Sequence, residues 1–126
     1  MYTDLLIQLK NAQAARKEWV KLPYSNLGLA IFELLLRYGF VSLVQKKGRM
    51  PKRIIEVHLK YADKEGKIRG IKIVTKPSLK VYKGYRKLHS VRQGYGISVV
   101  STSEGLMTGD EARKKKIGGQ VLFEIW

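Results

Sequence analysis

The chain contains no cysteine, which removes disulfides and thiolate metal sites and leaves the redox compartment unread. Two histidines, His58 and His89, are too few for a metal centre without several carboxylates beside them, and acids are scarce. No apolar run approaches the roughly 20 residues that cross a bilayer. No basic amphipathic helix marks a membrane surface. Met1-Tyr2-Thr3-Asp4 also lacks the basic start and apolar core of a signal peptide. The expectation is a cytoplasmic protein with no membrane partner and no cofactor.

What the chain does have is positive charge. Its 126 residues carry 25 lysines and arginines against 10 acids, a net +15, with pI near 10.1. The excess is spread along the whole length and forms no detachable tail. A folded domain so unbalanced repels itself, so a polyanionic partner is implied, and nucleic acid is favoured. A hydrophobic content of 44% is enough for a core and argues against disorder.

The pattern along the chain predicts an α+β fold in two small subdomains, an α/β half over 1–65 and a mainly β half with a short helix over 66–126. Leu5, Leu6, Leu9 and Ala12 recur at helical spacing, so a helix is expected from Asp4 to Arg16 with Thr3 as its cap. Trp19 to Leu22 reads as a short strand stopped by Pro23. Ser25 caps a second helix whose stripe is Leu27, Ala30, Ile31, Leu34, Leu35 and Tyr38, ending at Gly39. Phe40–Val44 and Arg53–Tyr61 read as strands flanking a basic tip, Lys46 to Lys52, with His58 on a solvated face. Asp63 to Lys67 is the expected boundary.

Beyond it, strands are expected over Ile68–Thr75 and Leu79–Lys83, and a short helical turn over Leu88–Gln93. Thr108 to Glu111 is a capping box for a short helix that ends in Arg113, Lys114, Lys115 and Lys116. A final strand, Gln120 to Trp126, alternates Val121, Phe123 and Ile125 with Leu122, Glu124 and Trp126.

The organising stretch is Ile97 to Gly105, a strand that runs from apolar residues into Ser101, Thr102 and Ser103. Three hydroxyls in a row suit a shallow RNA minor groove, read by shape and 2′-hydroxyl contacts. The same residues also make an ordinary strand-ending turn. Lys80, Tyr82 and Lys83 interleave charge with an aromatic ring, a device for nucleic acid and equally a half-buried strand. Lys10 and Asn11 on the first helix, and Arg113 and Lys114 on the last, read from pattern alone as solvated faces or helix stabilisation.

Enzyme chemistry is set aside, because no nucleophile-elbow glycines surround Ser101 or Ser103 and acids to orient His58 or His89 are few. Gly94-Tyr95-Gly96 lacks the third glycine of a dinucleotide site. No small-molecule substrate is implied.

Taken together, Gly94-Tyr95-Gly96-Ile97, Ser101-Thr102-Ser103, Gly105, Met107-Thr108, Ala112-Arg113 and Gly118-Gly119 resemble the ribosomal protein S8 family of the small subunit, bacterial or organellar type. Leu9-x-Asn11-Ala12, Ser25-x-Leu27, Gly39-Phe40 and Lys76-Pro77 with Tyr82 extend the resemblance over nearly the whole chain. It implies a structural protein that binds the central domain of small-subunit ribosomal RNA, beside neighbouring ribosomal proteins, and in some members represses its own messenger RNA. A regulator acting on RNA away from the ribosome is the alternative.

On this resemblance Ser101, Thr102, Ser103, Lys80, Tyr82, Lys83, Gly119, Gln120, Lys10, Asn11, Arg113 and Lys114 are the RNA-binding candidates. Glu104 stands where the family usually has a base, Gln120 where it usually has glutamate, Ser78 where glycine is common, and Asn26 and Gly28 where lysines are frequent.

Overall fold

A computed structural model describes residues 2–49, 52–62, 65–76, 79–88 and 96–126. The chain divides into two units, Met1–Ile68 and Arg69–Trp126, and the described residues combine helices with antiparallel sheets, an α+β fold.

The first unit begins with α1, Tyr2–Ala14, which buries Tyr2, Leu5, Leu6, Leu9 and Ala12 along one stripe. Thr3 lies inside this helix and does not cap it. Burial of Tyr2, a turn before Leu5 and Leu6, carries the helix past the expected cap. β1 is Trp19–Pro23, and α2 is Asn26–Arg37, with Ser25 Oγ accepting from Gly28 N–H at 2.9 Å as its cap. Gly39 follows in the left-handed conformation, as the sequence indicated.

The buried stripe of α2 is Gly28, Ile31, Phe32, Leu34 and Leu35, while Leu27 and Tyr38 are exposed, so the core side is rotated from the expected one. Gly28 belongs to this stripe, and a Cβ there would stand 2.7 Å from both Leu5 Cδ1 and Ser25 Oγ, side-chain atoms that would have to shift.

β2, Val41–Lys47, and β3, Ile54–Leu59, complete an antiparallel sheet ordered β1-β3-β2. β2 runs further into the basic hairpin than expected, because Lys46 and Lys47 pair with Ile55 and Ile54. Met50 and Pro51 at the tip lie outside the described residues. A two-stranded ribbon, β4 Tyr61–Ala62 with β5 Glu65–Gly66, stands at the expected boundary, and Gln13 holds Ile68 through both its amide atoms, accepting from its N–H at 3.1 Å and donating to its carbonyl at 2.6 Å.

Among its described residues the second unit is a five-stranded antiparallel sheet with one short α-helix. Its strands are β6 Ile71–Ile73, β7 Tyr82–Lys83, β8 Ile97–Thr102, β9 Gly105–Thr108 and β10 Gly119–Ile125, and β10 sits at the centre, pairing with β6, β7 and β8. α3, Gly109–Lys114, is capped by Thr108 Oγ1, which accepts from Glu111 N–H at 3.2 Å.

The strand expected over Ile68–Thr75 shrinks to three residues. At one end the Arg69 and Gly70 N–H groups turn to the Trp126 carbonyl, and at the other the Val74 and Thr75 N–H groups share the Leu122 carbonyl. A 3₁₀ turn forms at Tyr85–Lys87, and the helical turn expected over Leu88–Gln93 falls almost wholly on residues that are not described. Residues 89–95, including His89 and Gly94-Tyr95, lie outside the described residues, as do Pro77 and Ser78.

Simple alternation fails in β10. The pairing passes from Val121 opposite Val100 to Phe123 opposite Val99, so Leu122 is an extra residue in a bulge. Val121 therefore joins Val100, Met107, Leu88 and Ala112 of α3 in the core on one face, while Phe123 goes with Val99 to the other. All of Val121, Leu122 and Phe123 are buried.

Candidate functional site

Ser101, Thr102 and Ser103 close the β8–β9 hairpin, so the turn reading of this stretch holds. Thr102 Oγ1 donates to the Gly105 carbonyl at 2.8 Å and accepts from Glu104 N–H at 3.1 Å. Gly105, at φ +106°, takes the backbone geometry that side chains resist. The hydroxyls of Ser101 and Thr102 are half-buried and Ser103 is exposed, so none is sealed away, although Thr102 already spends its donor on its own turn.

Register decides what stands beside them. Gln120 pairs with Ser101 on one side and with Tyr82 on the other, and Ser101 pairs with Leu106 across the hairpin. Residues directly opposite in adjacent strands project to the same face. Tyr82, Gln120, Ser101 and Leu106 therefore form one row across four strands, opposite to the face that α3 covers. Tyr82, at 68% exposure, is the most open residue of the row. Lys80, two residues earlier, is exposed as well.

Two small residues permit this row. A Cβ on Gly119 would collide with the Ser101 carbonyl oxygen and stand 2.9 Å from Val100 Cγ1. One on Gly118 would be 2.7 Å from the Lys83 carbonyl oxygen. Glycines here let β7, β10 and β8 come together at the end that carries the polar side chains.

Thr75 fixes β7 from below: buried, it donates through Oγ1 to the Val121 carbonyl at 2.6 Å and accepts from Val81 N–H at 3.1 Å. Sequence reading treated Thr75 as one more strand residue. The only signal was a hydroxyl in an otherwise aliphatic alternation.

The remaining candidates are placed elsewhere. Lys83, one residue after Tyr82, projects to the other face by alternation and is half-buried. Arg113 and Lys114 are exposed on α3, over the covered face, and Arg113 is already paired with Asp110 at 3.0 Å. Lys10 and Asn11 are exposed on α1 in the first unit.

His58, expected to be solvated, instead meets Glu56 at 2.8 Å, and Lys47 Nζ reaches the same carboxylate at 2.8 Å. The hydrogen bond from Lys47, and secondly that from His58, hold the Glu56 carboxyl below the usual glutamate range. Among the described residues no cluster of His, Asp and Glu could hold a metal, and no helix is long and apolar enough to cross a membrane.

A row of Tyr82, Gln120 and Ser101 on an antiparallel sheet with a short helix behind it, in a chain of net charge +15, defines a small basic α+β protein. Comparison with known proteins makes the class specific. A family model for ribosomal protein S8 matches residues 1–126. The small ribosomal subunit protein uS8 of Mycoplasmopsis agalactiae is 40% identical over 124 residues, spanning 98% of this chain and 95% of that protein. Its counterpart in Ruminiclostridium cellulolyticum is 41% identical over 123 residues, spanning 98% and 94%, and that in Thermoanaerobacter sp. 41% over 124, with the same coverage. The chain belongs to the ribosomal protein S8 family, constituents of the small ribosomal subunit and not enzymes.

Proposed function

We propose that the second unit, the half expected over 66–126, binds small-subunit ribosomal RNA in its central domain through the row of Tyr82, Gln120 and Ser101, with Ser103 at its end. The observation that carries this reading is the pairing of Gln120 with both Ser101 and Tyr82, which sets an exposed ring beside a half-buried amide and a half-buried hydroxyl. Those groups can meet 2′-hydroxyls, base edges and sugar rings in a widened minor groove. Gly119 and Gly118 let backbone approach where a side chain would hold it off.

Lys80 next to the row, with Lys83, Arg113, Lys114 and, on α1, Lys10, supplies phosphate contacts and long-range attraction, and Asn11 adds a neutral hydrogen-bonding group. Each neutralised phosphate contributes about 0.7 to 0.9 to the slope of log affinity against log salt. Glu104 is exposed at the hairpin tip, and repulsion by phosphate keeps it on the solvent side of the complex.

The test compares a central-domain RNA carrying an irregular internal loop with a regular duplex of equal length. Ser101→Ala with Ser103→Ala weakens the first far more than the second in filter binding, and equal losses on both would overturn the reading. The chain's own messenger RNA binds the same row where it presents the same shape. Competition between the two RNAs for one site checks this.

A further inference from the structure

The β8–β9 hairpin closes through a two-residue loop, Ser103 and Glu104, since Thr102 pairs with Gly105. Both loop residues are exposed, so the tip presents a hydroxyl and a carboxylate side by side. The loop is held fast. Thr102 Oγ1 accepts from Glu104 N–H at 3.1 Å and donates to the Gly105 carbonyl at 2.8 Å, which fixes the Glu104 backbone and leaves its side chain alone free to turn. Among the described residues no cation pairs with Glu104.

The rest of the second unit sets this carboxylate apart. Residues 69–126 hold twelve lysines and arginines against four acids. Asp110 is matched by Arg113 at 3.0 Å, and Glu111 and Glu124 are half-buried. Glu104 is thus the exposed acid of the unit, and it stands next to a serine of the proposed RNA contact.

We propose that Glu104 is a specificity-determining residue of that contact, a negative charge that turns away regular duplex and tolerates an irregular internal loop. The inference rests on the reading of Tyr82, Gln120 and Ser101, with Ser103, as the place where RNA sits. Lysines and arginines attract every RNA, because phosphate carries no sequence information. Discrimination is a difference between two affinities, and a repulsive group at the contact raises it as an attractive one does.

Neighbouring Cα atoms are about 3.8 Å apart, so an RNA that reaches the Ser103 hydroxyl brings its backbone within the roughly 8 Å over which physiological salt screens a charge. A regular duplex lines both rims of its minor groove with unbroken phosphates, and the carboxylate meets one whichever way it turns. An internal loop splays the strands and interrupts a rim. There Glu104 keeps a solvent side.

Filter binding of the full chain to the internal-loop RNA and to a regular duplex of equal length tests this. Glu104→Gln keeps the size of the side chain and removes its charge. Duplex binding should tighten about threefold to tenfold at low salt, while the internal-loop RNA changes by less than about twofold, and the gain on duplex should shrink as salt is raised. Glu104→Asp retains the charge and the parent's preference. Glu33→Gln, at an exposed acid of α2 in the first unit, makes the same change in net charge and shifts both RNAs by one small factor.

Equal changes on both RNAs in Glu104→Gln, no change on either, or a Glu104→Asp variant that behaves like Glu104→Gln overturns the proposal. The serine variants judge the underlying reading separately. If Ser101→Ala with Ser103→Ala weakens the internal-loop RNA selectively while Glu104→Gln changes nothing, the row stands and the role of Glu104 falls. Equal losses on both RNAs in the serine variants overturn the row itself, and this proposal with it.

Discussion

Gly119 lies against Ser101 so closely that a Cβ on the glycine would run into the serine's carbonyl oxygen and stand 2.9 Å from Val100 Cγ1. The obstacle is backbone, which cannot rotate away as a side chain could. A methyl group must therefore push β8 from β10 at the row that carries Gln120 and Ser101. Gly119→Ala is expected to cost about 1 to 3 kcal/mol in urea denaturation, the usual range for overpacking. Gly84→Ala is the control, since nothing lies within 4 Å of its added Cβ, and it should leave stability nearly unchanged.

Thr75 shows how a buried residue can position an exposed one. Its Oγ1 joins the Val121 carbonyl of β10 to the Val81 N–H at the start of β7. Thr75→Val keeps the shape and removes both hydrogen bonds, leaving a buried carbonyl and an N–H short of a partner. The expected loss is about 1 to 3 kcal/mol, most of it recovered in Thr75→Ser. RNA affinity should fall with it, because β7 is what carries Tyr82 to the row. Parent-like stability and affinity in Thr75→Val would show that β7 is held by other means.

Glu56 makes stability depend on pH in a defined direction. Its carboxyl is held low, first by Lys47 and then by His58, so it binds a proton less readily folded than unfolded. The stabilisation is complete above the ordinary glutamate range and is lost as pH falls through the lowered folded value. Glu56→Gln should therefore be less stable than the parent near pH 7, with the gap closing as the solution is acidified to about pH 3. Urea midpoints at several pH values measure this. A constant gap would mean that the ionised carboxylate contributes nothing of its own.

Local features were legible in the sequence because their chemistry is local. Ser25 and Thr108 as caps and Gly39 as a left-handed terminus all involve neighbours within a few positions. What depends on distant partners was not legible. Tyr2 extends α1 because it is buried, and Gly70, where a Cβ would lie 2.5 Å from Trp126 Cζ2, ends β6 early because the chain's last residue occupies that space.

The site divides the same way. Hydroxyls, basic residues and glycines were visible as types, but the row of Tyr82, Gln120 and Ser101 exists only through pairings of residues 19 and 38 positions apart. The Leu122 bulge then decides which face Val121 and Phe123 take, and no alternation pattern foretells an extra residue. Glu56 and His58 differ for another reason: a charged pair on a strand looks solvated until Lys47 is folded onto it.

The three helices described here end alike, and two of them depart from the residue that suits the ending. After α1 and α3 the left-handed position is taken by Arg16, at φ 56°, and Lys116, at φ 57°. After α2 it is taken by Gly39, at φ 81°. In each case the next amide reaches back five residues, Lys17 to Ala12 at 3.0 Å, Phe40 to Leu35 at 2.9 Å and Ile117 to Ala112 at 2.9 Å. An ordinary side chain in this conformation costs roughly 1 to 2 kcal/mol. Glycine avoids that but loses about 0.5 to 1 kcal/mol in unfolded-state freedom. Lys116→Gly should thus gain up to about 1 kcal/mol in a thermal melt. Gly39→Ala should lose about 1 kcal/mol, with no steric contribution, since the nearest atom to its added Cβ is Lys60 Nζ at 3.8 Å. Opposite signs for the two substitutions are required, because both test one backbone geometry from its two sides. The strained lysine stands at the end of α3, two residues before the Gly118–Gly119 pair, where the chain turns into the strand that carries Gln120.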